Sequence, residues 1–479
     1  MRSRTRTTAA CAATVLALTA LPAAAGTATA APAGTAAPVG RTADFNNDGY
    51  PDLAIGAHTA PVGDIARAGL VSIAYGSPTG LRFDTASIVS QATPGVPGDA
   101  VTDGRWREVS GFGDLDHDGY DDLVVSWNNH NTVLWGGPTG ITGAGTLLPS
   151  AGTAAAPRLL GGSGVGDVNG DGIDDYVSKG VVGSPVDPVQ YDGVAVLLGP
   201  LNRATGQPAG RWFRDSRSNE NALTTLHVDD MTGDGIADVA LSGGSSTGTS
   251  ANWVLLKGSA AGLVKGSSFV GPYASETNRA VVGDLDRDGY GDLVTGIADR
   301  NQVYVVQGGP NGFGATRRLY TQDTPGVPGV DEEYDYFGSA LAVGDTDRDG
   351  YPDLVIGAKY ETGADPVASY RSGAITVLRG SATGLTTTGA KVLTQNSSGV
   401  PSTSERTDYL GNAVTVVDTD RDGSPEVYVG GNGEDGFKGR VWRLPTGATG
   451  VTGTGSTSFH LGSLGGPTAG GNFGYRMAG

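Results

Sequence analysis

Short apolar runs recur along the chain, several of them closed by glycine: Leu53-Ala54-Ile55, Leu123-Val124-Val125, Val239-Ala240-Leu241 and Leu354-Val355-Ile356. Runs of this length, rich in β-branched residues and bounded by turn formers, read as buried strands. A second apolar segment follows each one, at Leu70–Tyr75, Thr132–Trp135, Val194–Leu198, Trp253–Leu256, Val303–Val306, Ala374–Leu378 and Val441–Leu444. Most of these run into a glycine turn of the kind seen at Gly76-Ser77-Pro78-Thr79-Gly80-Leu81 and Gly380-Ser381-Ala382-Thr383-Gly384-Leu385. Glycine and proline at such points mark hairpins. Copies three and seven depart from the turn.

Ahead of each first run stands a polar element with the pattern D-x-[DN]-x-D-G-x-x-[DE]. The seven copies place side chains at Asp44, Asn46, Asp48 and Asp52; Asp114, Asp116, Asp118 and Asp122; and Asp167, Asn169, Asp171 and Asp175. They continue at Asp230, Asp234 and Asp238 (with Thr232 at the third position); Asp284, Asp286, Asp288 and Asp292; Asp345, Asp347, Asp349 and Asp353; and Asp418, Asp420, Asp422 and Glu426. These positions hold 25 of the 50 acidic residues, too many for a merely solubilising charge. Calcium takes six to eight hard oxygen ligands, and carboxylates at alternate positions converge on one ion if the loop curls around it. The glycine at position six, Gly49 to Gly423 across the copies, permits the sharp turn. Position seven varies because only its carbonyl would be needed. Magnesium fits less well, since it demands near-ideal octahedral geometry and retains water. An EF-hand is excluded, because position twelve is Ile55, Val125, Ser178, Leu241, Thr295, Ile356 or Val429, none of them acidic.

One unit is therefore strand, ion loop, buried strand, connection, strand, turn and outer strand. Successive first aspartates are 70, 53, 63, 54, 61 and 73 residues apart. Seven such units suit a propeller, whose blades number four to eight. The C-terminal segment Asn472–Gly479 resembles Tyr336–Val343, the strand leading into the sixth loop, and stops where a loop aspartate would follow. It is expected to complete the blade whose loop begins at Asp44. The expectation is an all-β, seven-bladed β-propeller of four-stranded antiparallel blades, closed by N- and C-terminal strands and spanning 41–479.

Composition agrees. There are 80 glycines in 479 residues and few Lys, Glu and Met, consistent with many turns and little helix. The first thirty residues read as a signal peptide, with Arg2, Arg4 and Arg6 ahead of an apolar stretch at Ala9–Leu21 and small-residue cleavage sites after Ala25 or Ala30. That stretch is too short for a membrane anchor, and no later segment could cross a bilayer. Residues 31–40 would be a flexible mature N-terminus. The single cysteine, Cys11, lies in the signal, so the mature chain has no disulfide and needs a large core, bound metal or both. Formal charge is −18, and losing three signal arginines makes it −21, which opposes binding to nucleic acid. The localisation expected is extracellular, as a secreted monomer.

The loops and the strands after them resemble the FG-GAP/VCBS-type repeats of the integrin α-subunit propeller and its bacterial relatives. Copy six is the fullest, with Phe337-Gly338, Asp345 to Asp353 and then Leu354-Val355-Ile356-Gly357-Ala358. The Phe-Gly pair is poorly kept elsewhere, with Leu410-Gly411 in copy seven and Trp106-Arg107 in copy two. The resemblance implies calcium on the strand 1–2 loops of one face. It also implies ligand contacts from the connections on the opposite face. Family members carry ions in only some blades, whereas all seven copies here look competent, for up to seven Ca²⁺. No Arg-Gly-Asp tripeptide or inserted adhesion domain occurs, so animal integrin function is not implied.

Three connecting segments share a motif, beginning at Gln91, Gln322 and Gln395, and precede charged or aromatic stretches. Within these, Trp106, Tyr334 and Tyr409 are candidates for stacking on sugar rings of an extracellular glycan, or for contacting a protein ligand. The competing reading is blade-to-blade packing, which the sequence favours. A secreted carbohydrate-active lyase or hydrolase is the alternative function. Against it, the five histidines show no metal spacing and no G-x-S-x-G nucleophile motif occurs, so no catalytic residue is assigned.

Overall fold

The computed structural model describes residues 41–479, apart from 107, 128–129, 154–156, 184–190, 216–222, 245–249 and 273–279. The expected signal peptide at 1–30 and the flexible stretch at 31–40 lie outside the described residues. The strands form seven four-stranded antiparallel sheets.

Blade 6 shows how the sequence builds one unit. Its strands are β20 (Phe337–Gly344), β21 (Asp353–Ala358), β22 (Ala374–Arg379) and β23 (Thr386–Leu393). Every residue of β21 is buried, whereas β23 is largely half-exposed or exposed. The inner strands read as continuous apolar runs because a neighbouring blade covers each face of the sheet. Alternation persists inside that burial. Leu354 and Ile356 pack with Val294 and Val303 of blade 5, while Val355 packs with Val427 and Trp442 of blade 7.

The other blades repeat the plan. Blade 2 holds Glu108–Gly113, Asp122–Trp127, His130–Leu134 and Gly145–Leu147, and blade 3 holds Arg158–Gly166, Asp175–Val182, Tyr191–Leu198 and Gly210–Asp215. Blade 4 holds Leu223–Asp229, Asp238–Gly244, Ser250–Lys257 and Val264–Pro272, and blade 5 holds Ala280–Gly283, Asp292–Ile297, Gln302–Val306 and Arg317–Tyr320. Blade 7 holds Leu410–Val417, Glu426–Gly431, Arg440–Leu444 and Thr457–Phe459. Helical structure among the described residues is confined to turns at Ala298–Arg300, Glu434–Phe437 and Leu461–Leu464. No helix there is long and apolar enough to cross a membrane.

Blade 1 is made from both ends of the chain. Its strands β1 (Leu53–Ala57), β2 (Leu70–Tyr75) and β3 (Arg82–Val89) are joined at the inner edge by β28 (Phe473–Ala478). Ala54 pairs with Ala478 and Ile55 with Met477, antiparallel. The closure expected from the repeat is thus present. Phe473 is fully buried and packs with Leu53, Ile55 and Val441 between blades 7 and 1.

The first strands of the blades surround a central cavity of about 620 Å³, lined by Val109, Val165, Val228, Val282, Val343 and Val416 among others. Arg41 also lines it and bridges two blades, reaching Asp121 at 2.9 Å and Asp174 at 2.5 Å.

Candidate metal centres and the opposite face

Each acidic loop connects the first strand of a blade to the second, and one geometry recurs in all seven. The position-one carboxylate accepts the N–H of the position-six glycine, from Gly49 to Asp44 at 2.9 Å, from Gly350 to Asp345 at 2.9 Å and likewise in the others. The position-five carboxylate accepts the N–H of position seven, as Asp349 does from Tyr351 at 2.9 Å. Gly350 sits at φ +92°, where a β-carbon would be strained. The loop is therefore curled by its own aspartates before any ion is considered.

The position-nine acid does something further. Asp353 is fully buried, and its Oδ2 accepts the Thr346 N–H at 3.1 Å while Oδ1 accepts the Gly380 N–H at 2.9 Å. Asp52, Asp122, Asp175, Asp238 and Asp292 make the same two kinds of bond. In blade 7 the second oxygen of Glu426 meets Arg443 at 2.5 Å instead. Burial raises these carboxyls, to about 8 for Asp52 and Asp122, about 7 for Asp175 and Asp292, and about 6 for Asp238 and Asp353.

The donor set fits a hard cation. Carboxylate oxygens lie within 4.8 Å of one another in Asp114, Asp116 and Asp122; in Asp284, Asp286 and Asp288; in Asp345, Asp347 and Asp353; and in Asp418, Asp420 and Glu426. Asp116 Oδ1, Asp286 Oδ1 and Asp345 Oδ1 are buried without a hydrogen-bond partner. Leaving such oxygens uncompensated is costly, and an ion bound by oxygen ligands relieves it. The clusters are thus compatible with calcium. The loops are not electrostatically equal, however. Arg203 pairs with Asp116 and Asp118, Arg379 with Asp347 at 2.6 Å and Arg443 with Glu426 at 2.5 Å, and Lys257 approaches Asp234 at 3.8 Å. Among the described residues the ligand-position acids of loops 1, 3 and 5 form no ion pair.

Two features of the loops escaped sequence reasoning. Position two is a plug in the core, with Phe45, Leu115, Val168, Met231, Leu285, Thr346 and Thr419 all at most 1% exposed. Its residue types vary too widely to form a pattern. Position four is left-handed in every copy, including Asn47, His117, Arg287, Arg348 and Arg421. Only Asn47 and the glycines at 170 and 233 hinted at that.

Strands alternate in direction, so the connections between second and third strands, and between blades, lie on the face opposite the ion loops. There an aromatic chain crosses from blade 6 to blade 7. Tyr336 and Tyr360 have ring centroids 4.6 Å apart, Tyr360 and Tyr409 5.2 Å, and Tyr409 and Phe437 6.1 Å. Lys359 lies over Tyr336 and Tyr360, and Arg371 lies 4.5 Å from the Tyr360 ring centroid. Of the three aromatics proposed from sequence, Tyr409 belongs to this array and Tyr334 is 57% exposed nearby in the chain. Trp106 follows the other reading, packing between blades. It is 1% exposed, in the core between blades 1 and 2.

A separate acidic group lies on the same face. Glu332, Asp335 and Glu361 bring carboxylate oxygens within 4.8 Å of one another. Burial and neighbouring acids push Glu361 up to about 7 and Asp335 to about 6.

Seven four-stranded blades with an acidic loop between the first two strands of each define a β-propeller with a ring of acidic loops on one face. Residues 36–73 and 337–378 match the FG-GAP repeat. The chain is a seven-bladed β-propeller that carries FG-GAP repeats and is similar to integrin α subunits. It is 36% identical to human integrin alpha-IIb over 115 residues, 23% of this chain and 10% of that one. It is 27% identical to Xenopus laevis integrin alpha-5 over 231 residues, 43% of this chain and 20% of that one. A rat phosphatidylinositol-glycan-specific phospholipase D is 35% identical over 95 residues, 18% of this chain and 11% of that one. The chain thus matches only a tenth to a fifth of these relatives' length. Among solved structures, the Dos1 propeller aligns with a TM-score of 0.38 at 11% identity, over 75% of this chain and 71% of that one. A Bacillus licheniformis rhamnogalacturonan lyase aligns at 0.30 and 14% identity, over 70% and 66%.

Proposed function

We propose that this chain is a secreted, calcium-binding propeller that acts as a binding or adhesion module for an extracellular glycan or protein. The observation that carries the reading is the Tyr336–Tyr360–Tyr409–Phe437 array with Lys359 and Arg371, on the face opposite the ion loops. Half-buried tyrosines flanked by cations offer ring faces and edges to sugars, and anchors to a protein surface. The ion loops serve the scaffold. Each joins two strands of one blade, so calcium there, at up to seven sites, stiffens the ring without touching the ligand. Affinity in the range of extracellular modules, roughly 10⁻⁴–10⁻³ M, suits such a role.

A glycan-array screen of the mature protein, with and without EDTA, tests this. Retention of a glycan that weakens in Tyr360→Ala supports the module. Release of shortened product from a bound polysaccharide would replace it with an enzyme.

A further inference from the structure

The connection into blade 6, Gln322 to Gly338, and the connection into blade 7, Gln395 to Gly411, correspond residue for residue. Each glutamine holds a glutamate from the next blade's connection between second and third strands. In blade 7 that glutamate is Glu434, 4% exposed, which accepts from Gln395 Nε2 at 2.7 Å and from Ser402 Oγ at 2.7 Å. Arg440 Nε lies 3.6 Å from it and supplies positive charge.

In blade 6 the glutamate is Glu361, which accepts from Gln322 Nε2 at 2.6 Å. Its other two supports are replaced. Gly329 stands where Ser402 does, and Ala374 stands at the register position of Arg440, the first residue of the third strand. Acids are added at the same time, with Asp331 in place of Ser404 and Glu333 in place of Arg406. Lys359, the basic residue nearest in the chain, lies over the rings of Tyr336 and Tyr360. Blade 6 therefore gathers Glu332, Asp335 and Glu361 while losing the cation that balances blade 7.

A second observation points to a ligand. Gln322 is 4% exposed, and its Oε1 is buried with no hydrogen-bond partner. Because Nε2 is fixed on Glu361, the carboxamide oxygen is held at the edge of the acidic group. Gln395 Oε1, on the carboxamide that donates to Glu434, is likewise unpartnered. A buried oxygen held next to a carboxylate and facing no donor is stabilised by positive charge.

We propose that Glu332, Asp335, Glu361 and the Gln322 carboxamide oxygen form a further cation site, on the face opposite the seven loops. All four ligands are hard oxygens, which selects calcium-like ions over soft metals. Glu332 is exposed, leaving room for the waters that complete a six- to eight-fold shell. The ion takes the electrostatic role of Arg440. Asp335 and Glu361 adjoin Tyr336 and Tyr360 in the chain, so the ion also fixes the connections that carry those rings. The site is independent of whether the face binds a glycan or a protein.

The test counts calcium bound to the full mature protein after equilibration with calcium alone, by elemental analysis. Asp335→Asn/Glu361→Gln is expected to hold one equivalent fewer than the wild type. Glu332→Gln, altering only an exposed side chain, is expected to lower occupancy with the fold intact. Adding Asp349→Ala, in an ion loop, removes another equivalent independently. Anomalous diffraction from calcium-grown crystals should show a peak among the four oxygens. No peak there, with wild-type counts in Glu332→Gln, overturns the proposal even if the double variant does not fold. A peak there with unchanged loop sites supports it, even if no loop holds calcium.

Discussion

Gly380 donates its N–H to Asp353 at 2.9 Å, tying the ion loop of blade 6 to the turn that ends the blade's third strand. Asp353 also accepts from the N–H of Thr346, so both oxygens are committed to backbone. A β-carbon on Gly380 would lie 2.3 Å from the Pro352 carbonyl, which keeps the donor close. The acid is thus a fastener within the blade as well as a candidate ligand, and the two roles can be separated.

Asp353→Ala leaves two buried N–H groups without acceptors, at about 1–3 kcal/mol each. It should lower the melting temperature in EDTA as well as in calcium. Asp349→Ala removes an exposed loop carboxylate and the acceptor of the Tyr351 N–H, a bond that water can replace. It should lower the melting temperature in calcium and leave the EDTA melt almost unchanged, with ligand specificity retained. Equal losses for both variants in EDTA would show that Asp349 too is chiefly structural.

Ring closure rests on β28. Deleting Phe473 to Gly479 exposes the inner edge of blade 1 and removes a fully buried Phe473 from the packing against blade 7. Loss of the phenylalanine alone is worth about 3–5 kcal/mol. Calorimetry of the truncated chain should show a markedly lower transition, whereas an unchanged melt would mean that the ring does not need its closing strand.

The legible parts of this architecture were those with repeated chemistry. Seven copies of one carboxylate spacing, and a C-terminal segment similar to Tyr336–Val343, sufficed to place the loops and the closure. What stayed hidden lacked either repetition or proximity in the chain. Trp106, Tyr334 and Tyr409 look alike in sequence, and although the sequence favours packing between sheets for all three, only the fold separates the buried Trp106 from the exposed Tyr334. Gln322 and Asp335 lie in the connection into blade 6 and Glu361 in the one between its second and third strands, and their meeting depends on how blade 6 docks on blade 5. Arg203 is far from Asp116 in sequence, yet it engages the second loop.

Asp408 gives a pH test away from the loops. It is 2% exposed and accepts the Glu405 N–H at 2.6 Å. Burial, then the Glu434 carboxyl, raise it to about 7. The folded chain therefore holds this proton more tightly than the unfolded chain, where the value is near 4. The stability it contributes is complete below about pH 4 and is lost as pH rises through about 7. Asp408→Asn cannot ionise and escapes that loss. Urea denaturation should show the variant gaining on the wild type by about 2 kcal/mol between pH 5 and pH 8. A constant difference across that range would mean that Asp408 is ionised in the fold throughout.

Tyr360 stands at the centre of the aromatic array, touching Tyr336 and Tyr409 and lying under Arg371. If this face holds the ligand, truncating its central ring should cost the most. Tyr360→Ala is expected to weaken binding ~30-fold, about 2 kcal/mol, the scale of an interface hot spot. The melting temperature should fall only slightly, since the ring is half-buried and outside the inter-blade core. Phe83, exposed on the outer strand of blade 1 and tilted against Phe459, serves as the control, because Phe83→Ala alters an aromatic pair on a different surface. Titration by isothermal calorimetry with the glycan or protein recovered from screening separates the two. If both variants bind as tightly as the wild type, the ligand sits elsewhere on the propeller.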